Sequence, residues 1–346
     1  LQNLQRAYVE AGSQIVYAPT FTANRISLQN FDAQERVREL NTKLVTISKE
    51  AVGDKALIAG DITTIGQLME PRGDMTYDRL YRTYQEQIKA LADAGMSASD
   101  LDYIICSNVV NEYITPQLSC IIQGGIGASC PCIDINCACA GFIYALEIAE
   151  SFYKAGKVKN VLIVCAEEPT RMADWSDRRT CVLFGDGVGA AVLTEGDNIK
   201  GFRMSAASAT DKLWQFRPLQ PTPYISKPEE NVPLQMKGQD VFKFAVKASS
   251  TDISLLLEDN NLKADDIDHV LLHQANIRII NSIREYLKQP AEKFPVNIED
   301  HGNSSSSCCP ILLDECNHKG MFKKGDKIIM SAFGAGFVSG AVLFEW

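Results

Sequence analysis

Apolar and polar positions change period several times along the chain. An apolar run at Gln14–Phe21 precedes a helical pattern from about Ala33 to Ala51 and a second apolar run at Lys55–Ile62, an order that predicts strand, helix, strand. Pro71, Gly73 and Asp74 mark a turn. Beyond it, Leu80, Tyr84, Ile88, Leu91 and Ala92 recur at spacings of three and four within Tyr77–Gly95, which predicts a second amphipathic helix. From Ser97 the pattern shifts: SASDLDYIICSN reads as a buried strand, and CPCIDINCACAGF as a strand running into a helix over Gly141–Gly156, with Phe142, Ala145, Leu146, Ala149 and Phe152 on one face. Strands follow at Asn160–Ala166 and Gly189–Leu193, then a polar stretch at Ala206–Pro233 and a helix around Val241–Leu257. Strand Val270–Leu272, helix Ile277–Leu287 and closing strands Lys327–Ala332 and Ser339–Phe344 complete the reading. Such alternation argues for an α/β fold with largely parallel sheets. No internal repeat is legible in the sequence.

Composition narrows the function classes. The chain has 346 residues, 46% of them hydrophobic, enough for one large or two ordinary domains with a sizeable core. No apolar run reaches the ~18 residues of a membrane span, and the N-terminal residues lack the layout of a signal peptide, so a cytoplasmic protein without a membrane partner is expected. A net charge of -9 argues against non-specific nucleic-acid binding. All 11 cysteines fall between Cys106 and Cys316, and all four histidines (His269, His273, His301, His318) lie near the C-terminal end. Reduced thiols are expected rather than a disulfide framework. Histidine chemistry must be C-terminal.

The first stretch contains YVEAGSQIVYAPTFTANRISL, IAGDITTIGQLMEPRGDMTYD and YQEQIKALADAG. These phrases resemble the homocysteine S-methyltransferase family, whose fold is a zinc-dependent (β/α)8 barrel. A complete barrel takes ~250 residues, so residues 1–95 supply a partial β/α-barrel-like segment. Neither cysteine nor histidine stands there to replace that family's zinc ligands, and the segment is assigned no chemistry of its own.

Farther along, three short motifs stand at wide separations: ACAGF at Ala138–Phe142, HQANIRI at His273–Ile279 and HGNSSSS at His301–Ser307. With FGDGVGAAVL at Phe184–Leu193, MKGQDVFKFAV at Met236–Val246 and FGAGF at Phe333–Phe337, they resemble the 3-oxoacyl-(acyl-carrier-protein) synthase III family from about Met96 to Trp346. The resemblance implies a thiolase-like layered fold, with residues 96–200 as the remainder of its N-terminal half and residues 201–346 as its C-terminal half. It also implies that the N-terminal half is incomplete, lacking a central first strand for which Lys55–Ile62 is a possible substitute. The join falls within ALADAGMSASDL, and the chain looks chimeric.

The residue chemistry fits the catalytic set that the resemblance implies, Cys139, His273 and Asn303. Cys139 sits where a strand turns into a helix, whose N-terminus is expected to favour the thiolate and lower its pKa. The plainer alternative is a small buried cysteine between two alanines. His273 should emerge at the carboxyl end of a strand, and Asn303 in a Gly/Ser-rich loop suits an exposed amide donor. Their plainer alternatives are a core histidine and a turn asparagine. His301 reads as structural or supporting.

By resemblance, Cys139 takes an acyl group from acyl-CoA, and His273 and Asn303 stabilise the enolate formed as malonyl-acyl carrier protein loses CO2. The condensation initiates fatty-acid synthesis. The backbone N–H groups of Cys139 and Ala335 would form the oxyanion hole, and no metal or other cofactor is required. Arg178 would meet the CoA adenine, Asn276 the pantetheine, and Arg278 the phosphates and carrier protein; for the two arginines the alternative is ordinary surface charge. Thr115 would bound the acyl pocket and cross to the second subunit of a homodimer.

Two other readings compete. Cys137 with Cys308 and Cys309 could form a three-thiolate zinc set in a homocysteine S-methyltransferase-like protein. A chimeric chain could instead retain the motifs without activity. The GDGVGAA run lacks the strand before and helix after that a dinucleotide loop needs, and reads as a turn into a strand.

Overall fold

A computed structural model describes residues 2–10, 15–20, 23–53, 57–60, 98–111, 113–178, 180–194, 196–216 and 232–346. The turn at Pro71–Asp74, the helix expected over Tyr77–Gly95 and most of the apparent join lie outside these residues. The chain divides into two compact units, one made of Leu1–Asp102 with Cys120–Pro131, the other of Tyr103–Ser119 with Cys132–Trp346.

In the first unit, α1 (Gln2–Glu10) is followed by β1 (Ile15–Ala18), α2 (Arg25–Gln29), α3 (Val37–Val52) and β2 (Leu57–Gly60). β1 and β2 pair in parallel, with Ile15 opposite Leu57, which is the strand–helix–strand unit the pattern predicts. α3 starts later than its periodicity suggests, because Gln34–Arg36 form a 3-10 turn. Asn24 caps α2 by accepting the Ser27 N–H at 2.9 Å. Inside α3, the buried Asn41 amide donates to the carbonyls of Ala23 and Val37, so this polar side chain is satisfied by backbone.

The second unit contains β3 (Tyr103–Ser107), β4 (Cys132–Ile135), α5 (Gly141–Lys154), β5 (Asn160–Glu167), β6 (Gly187–Thr194) and β7 (Ile199–Ala206). α4 (Leu118–Ile126) lies across the division between the units. A small pair, β8 (Leu213–Trp214) and β9 (Gln235–Met236), precedes α6 (Gly238–Asp259), β10 (His269–Leu272) and α7 (Ile277–Leu287). α8 (Ile298–His301), α9 (Cys308–His318), β11 (Lys327–Gly334) and β12 (Val338–Glu345) complete it.

These strands build two four-stranded sheets, ordered β4-β3-β5-β6 and β10-β11-β12-β7. In the first sheet β3 pairs directly with β5 in parallel over Tyr103–Ser107, so no gap separates these two strands. Lys55–Ile62 supplies β2, and β2 pairs with β1. The sheets also share a rule the sequence did not disclose: β3 and β5 are parallel and β6 turns back antiparallel, just as β10 and β11 are parallel and β12 turns back.

Period-2 alternation explains how the second sheet serves two cores. Leu271, Ile328, Met330 and Val342 join α5 and α9 in one apolar cluster, whereas Val270, Leu272, Ile329 and Leu343 join α6 and α7 in another. The sheet is buried on both faces, which is why its strands read as nearly continuous apolar runs. At full burial, each such side chain contributes roughly 1.5–3 kcal/mol.

Candidate active site

Cys139 occupies a 3-10 turn, Ala138–Ala140, that leads straight into the 14-residue helix α5. Two glycines allow this turn to be enclosed. A Cβ on Gly141 would lie 1.8 Å from Ser107 Oγ, and one on Gly334 would lie 2.7 Å from the Cys139 backbone nitrogen. The end of β11, and with it the segment leading to Ala335, therefore comes up against the amide of Cys139.

The motif around Asn303 wraps the other side. Asn303 is 9% exposed rather than the open loop amide expected, because its backbone bridges to Phe184 and its N–H donates to the Leu183 carbonyl. Its Oδ1 accepts the Ser305 N–H at 2.9 Å, which leaves Nδ2 as the group free to donate. Ser305 holds φ at +57°, a left-handed conformation that turns its hydroxyl inward. That hydroxyl donates to Glu167 Oε1 at 3.2 Å.

His273 follows β10, as expected, and its N–H donates to the Ser331 carbonyl at 2.9 Å. The ring stands edge-on to Phe333 at 5.3 Å, while Nδ1 is buried without a partner. Burial lowers its pKa to about 3, so the imidazole is neutral at physiological pH, with one nitrogen donating and the other accepting. Cys308 receives the Ser304 hydroxyl at 3.4 Å and lies 4.0 Å from Asn303 Oδ1. Adjacent residues at the end of β11, Phe333 and Gly334, meet the His273 ring and the Cys139 amide, while Asn303 lies against Ser305 and Cys308.

The expected thiolate is overturned. Although Cys139 as a residue is half-buried, its sulfur is enclosed, and burial pushes the thiol up to about 12. A three-unit rise from 9.0 corresponds to about 4 kcal/mol, whereas a helix N-terminus offers ~2 kcal/mol at most. Desolvation wins, and the resting group is a thiol.

The residues proposed for substrate contact are distributed differently. Asn276 caps α7, its Oδ1 accepting the Arg278 N–H at 2.8 Å, and Arg278 is exposed in the first turn of that helix. Arg178 and Thr115 are both exposed. His301 contacts Glu315 Oε1 at 2.5 Å, a structural pairing. Cys137 is half-buried and Cys308 and Cys309 are enclosed; among the described residues no group of three His, Cys, Asp or Glu side chains is placed to hold a metal ion.

Sequence reasoning passed over Glu167, at the end of β5. It is 2% exposed, accepts the Ser306 hydroxyl at 2.5 Å and the Val109 N–H at 3.0 Å, and burial raises its pKa to about 7. The available signal was the acidic pair Glu167–Glu168 directly after an apolar strand, where α/β sheets present reactive groups.

Comparison with known proteins gives concordant results. The family model for 3-oxoacyl-(acyl-carrier-protein) synthase III matches residues 133–211, and that for its C-terminal part matches residues 257–346. The homocysteine S-methyltransferase model matches residues 1–117. A beta-ketoacyl-(acyl-carrier-protein) synthase III of Clostridium novyi is 42% identical over 262 residues, spanning 74% of this chain and 81% of the relative. The Xanthomonas campestris enzyme of the same name is 36% identical over 304 residues, covering 86% and 88% of the two chains. The crystal structure of 3-oxoacyl-(acyl-carrier-protein) synthase III from Aquifex aeolicus superposes with a TM-score of 0.69 at 36% identity, covering 79% of this chain and 87% of that one.

Proposed function

This chain belongs to the 3-oxoacyl-(acyl-carrier-protein) synthase III family, and from that premise we propose that it condenses an acyl-CoA with malonyl-acyl carrier protein through an acyl-Cys139 intermediate, the step that initiates fatty-acid synthesis. The observation that carries the reading is the convergence of an enclosed thiol, a neutral imidazole and an amide whose oxygen is already engaged.

In the first half-reaction the Cys139 sulfur adds to the thioester carbonyl, the carbon–sulfur bond to CoA breaks, and the thiol proton ends on the CoA sulfur. The carbonyl oxygen carries negative charge in between, and the backbone N–H groups of Cys139 and Ala335 receive it. Gly334 pressed against the Cys139 amide supports that pairing. In the second half-reaction the malonyl carboxylate leaves as CO2, and its electron pair becomes an enolate. His273, donating as a neutral ring, and Asn303 Nδ2 stabilise the enolate oxygen. The enolate carbon then attacks the acyl carbonyl and Cys139 departs as the leaving thiolate.

The substrate contacts belong to the same proposal. Arg178 at the adenine and Arg278 at the phosphates are exposed cations suited to an anionic ligand, and Asn276 presents the N-terminus of α7 toward the pantetheine path. A homodimer, with Thr115 near the subunit boundary, is supported by the exposed apolar side chains of Tyr113 and Ile114 beside it. Residues 1–95 are proposed as a β/α appendage without methyl-transfer chemistry, and residues 96–200 and 201–346 as the two halves of the synthase.

Incubating the purified chain with acetyl-CoA and longer acyl-CoAs, beside a Cys139→Ala control, tests the reading by intact mass. An acyl-sized increase absent from the control is expected. No increase in folded, reduced protein would remove the proposal and favour a chain that keeps the motifs without activity.

A further inference from the structure

The backbone of Asn303 is fixed on both sides: its N–H donates to the Leu183 carbonyl at 2.8 Å and its carbonyl accepts the Gly185 N–H at 3.1 Å. These bonds settle where the residue sits, not which way its amide faces. That choice falls to the Ser305 N–H, 2.9 Å from Oδ1, because an amide turned over would set Nδ2 against it, donor against donor. Ser305 in turn holds a left-handed φ of +57°, a conformation that a non-glycine residue keeps only with outside support. A carboxylate supplies it. We infer that Glu167 is a positioning residue for decarboxylation: by holding Ser305 and Ser306 it aims Asn303 Nδ2 at the enolate oxygen. This rests on the proposed role of Asn303 in that step.

Glu167 is enclosed, 2% exposed, and both of its oxygens are in use. Oε1 accepts the Ser305 hydroxyl at 3.2 Å and the Ser306 hydroxyl at 2.5 Å, and Oε2 accepts the Val109 N–H at 3.0 Å. Hydrogen bonds to an ionised carboxylate are roughly twice as strong as those between neutral groups. Ser107, the last residue of β3, also donates to Ser306 at 3.0 Å. The 3-10 turn Ser305–Ser307, from which α9 starts, is therefore tied to the ends of β3 and β5, two neighbouring strands of one sheet.

The effect should fall on one half-reaction. The Cys139 amide, which would receive charge during acylation, is set against Gly334 at the end of β11, in the other sheet. The Asn303 amide is set by the serine turn. A reacting group misplaced by ~1 Å can cost roughly 10²-fold in rate, so slackening this turn should be felt in decarboxylation even where the fold survives. A carboxylate that merely filled the interior would instead weaken the whole unit and slow both half-reactions alike.

The test compares wild type with Glu167→Met, Ser305→Gly and Asn303→Ala, and with each of the first two combined with Asn303→Ala. Release of CO2 from malonyl-acyl carrier protein and acyl-enzyme formation by intact mass are followed in all of them. Methionine keeps the length of glutamate while removing every acceptor, and glycine takes the φ of +57° while removing one hydroxyl. Glu167→Met should slow CO2 release roughly tenfold and Ser305→Gly roughly fivefold, with acyl-enzyme formation within roughly twofold of wild type. Beside Asn303→Ala, neither should slow CO2 release by more than roughly twofold further, since no amide is left to aim. Single variants that release CO2 within roughly twofold of wild type overturn the inference, as do losses that recur in full beside Asn303→Ala or that fall equally on acylation. Should Glu167→Met fail to fold, Ser305→Gly with and without Asn303→Ala makes the same comparison. Wild-type CO2 release by Asn303→Ala alone would remove the proposed role of Asn303 and this inference with it, a pattern distinct from failure at Glu167.

Discussion

Replacing Glu167 by glutamine should reverse sign as a stability change between acid and alkaline pH. The carboxyl ionises near 4.5 when solvated and near 7 in the folded chain, because burial disfavours the anion more than Ser306, Val109 and Ser305 support it. A raised carboxyl pKa means that the native state holds its proton more tightly than the unfolded chain does. The resulting stability is fully present below about pH 4.5 and is lost as pH rises through about 7. Integrated from about pH 5 to about pH 8, that loss is roughly 2–3 kcal/mol. Glutamine does not titrate, so its stability lacks this component. Its amide cannot accept the Val109 N–H while presenting Nε2 at the same place, which costs about 1 kcal/mol at any pH. The variant should therefore be less stable than wild type near pH 5 and more stable near pH 8. Urea unfolding followed by tryptophan fluorescence checks this, since Trp175, Trp214 and Trp346 all lie in the second unit and report on the one that contains Glu167. A wild-type-minus-variant difference that stays flat over this range refutes the reasoning, because it would mean that Glu167 ionises alike in the folded and unfolded chain.

Three further outcomes follow from the geometry. Gly141→Ala should destabilise the second unit by roughly 2–4 kcal/mol in urea unfolding, since the added carbon would stand 1.8 Å from Ser107 Oγ and break its bond to Ser306. Asn303→Ala and His273→Ala should still form the acyl-enzyme by intact mass, yet release CO2 from malonyl-acyl carrier protein roughly 10²–10³ times more slowly; equal loss of both half-reactions would oppose the separate roles. His301→Ala should cost about 1–2 kcal/mol of stability through the lost contact to Glu315, with acyl-enzyme formation retained; a selective loss of acylation would place His301 in the chemistry.

The sequence disclosed the elements that repeat with a clear period and the residues that occur in distinctive phrases. β1, α3 and β2 emerged within a few residues of their predicted places, as did α5, β10 and the two closing strands, because each carries an apolar pattern that its own packing enforces. Cys139 and Asn303 were legible for a different reason: each sits near a glycine, Gly141 or Gly302, that close approach requires, whereas His273 was read from its place after an apolar strand. What was hidden depends on distant neighbours. The direct pairing of β3 with β5 is a property of strand order, which period-2 alternation does not encode. The thiol state of Cys139 is a property of enclosure, so helix position alone predicted the wrong direction. Glu167 was passed over because only the fold shows that β5 carries it inside among Ser305 and Ser306.

The repeated parallel–parallel–antiparallel rule of the two sheets assigns β5 and β11 to corresponding places. Their ends have diverged into a division of labour: β5 finishes on a buried acid, Glu167, whereas β11 finishes on Gly334, whose lack of a side chain admits the Cys139 amide. Duplicated architecture thus frees one copy of a position to become electrostatic while the other becomes purely steric. Transplanting either residue into the counterpart strand should damage the centre for opposite reasons, one by filling space and the other by removing charge.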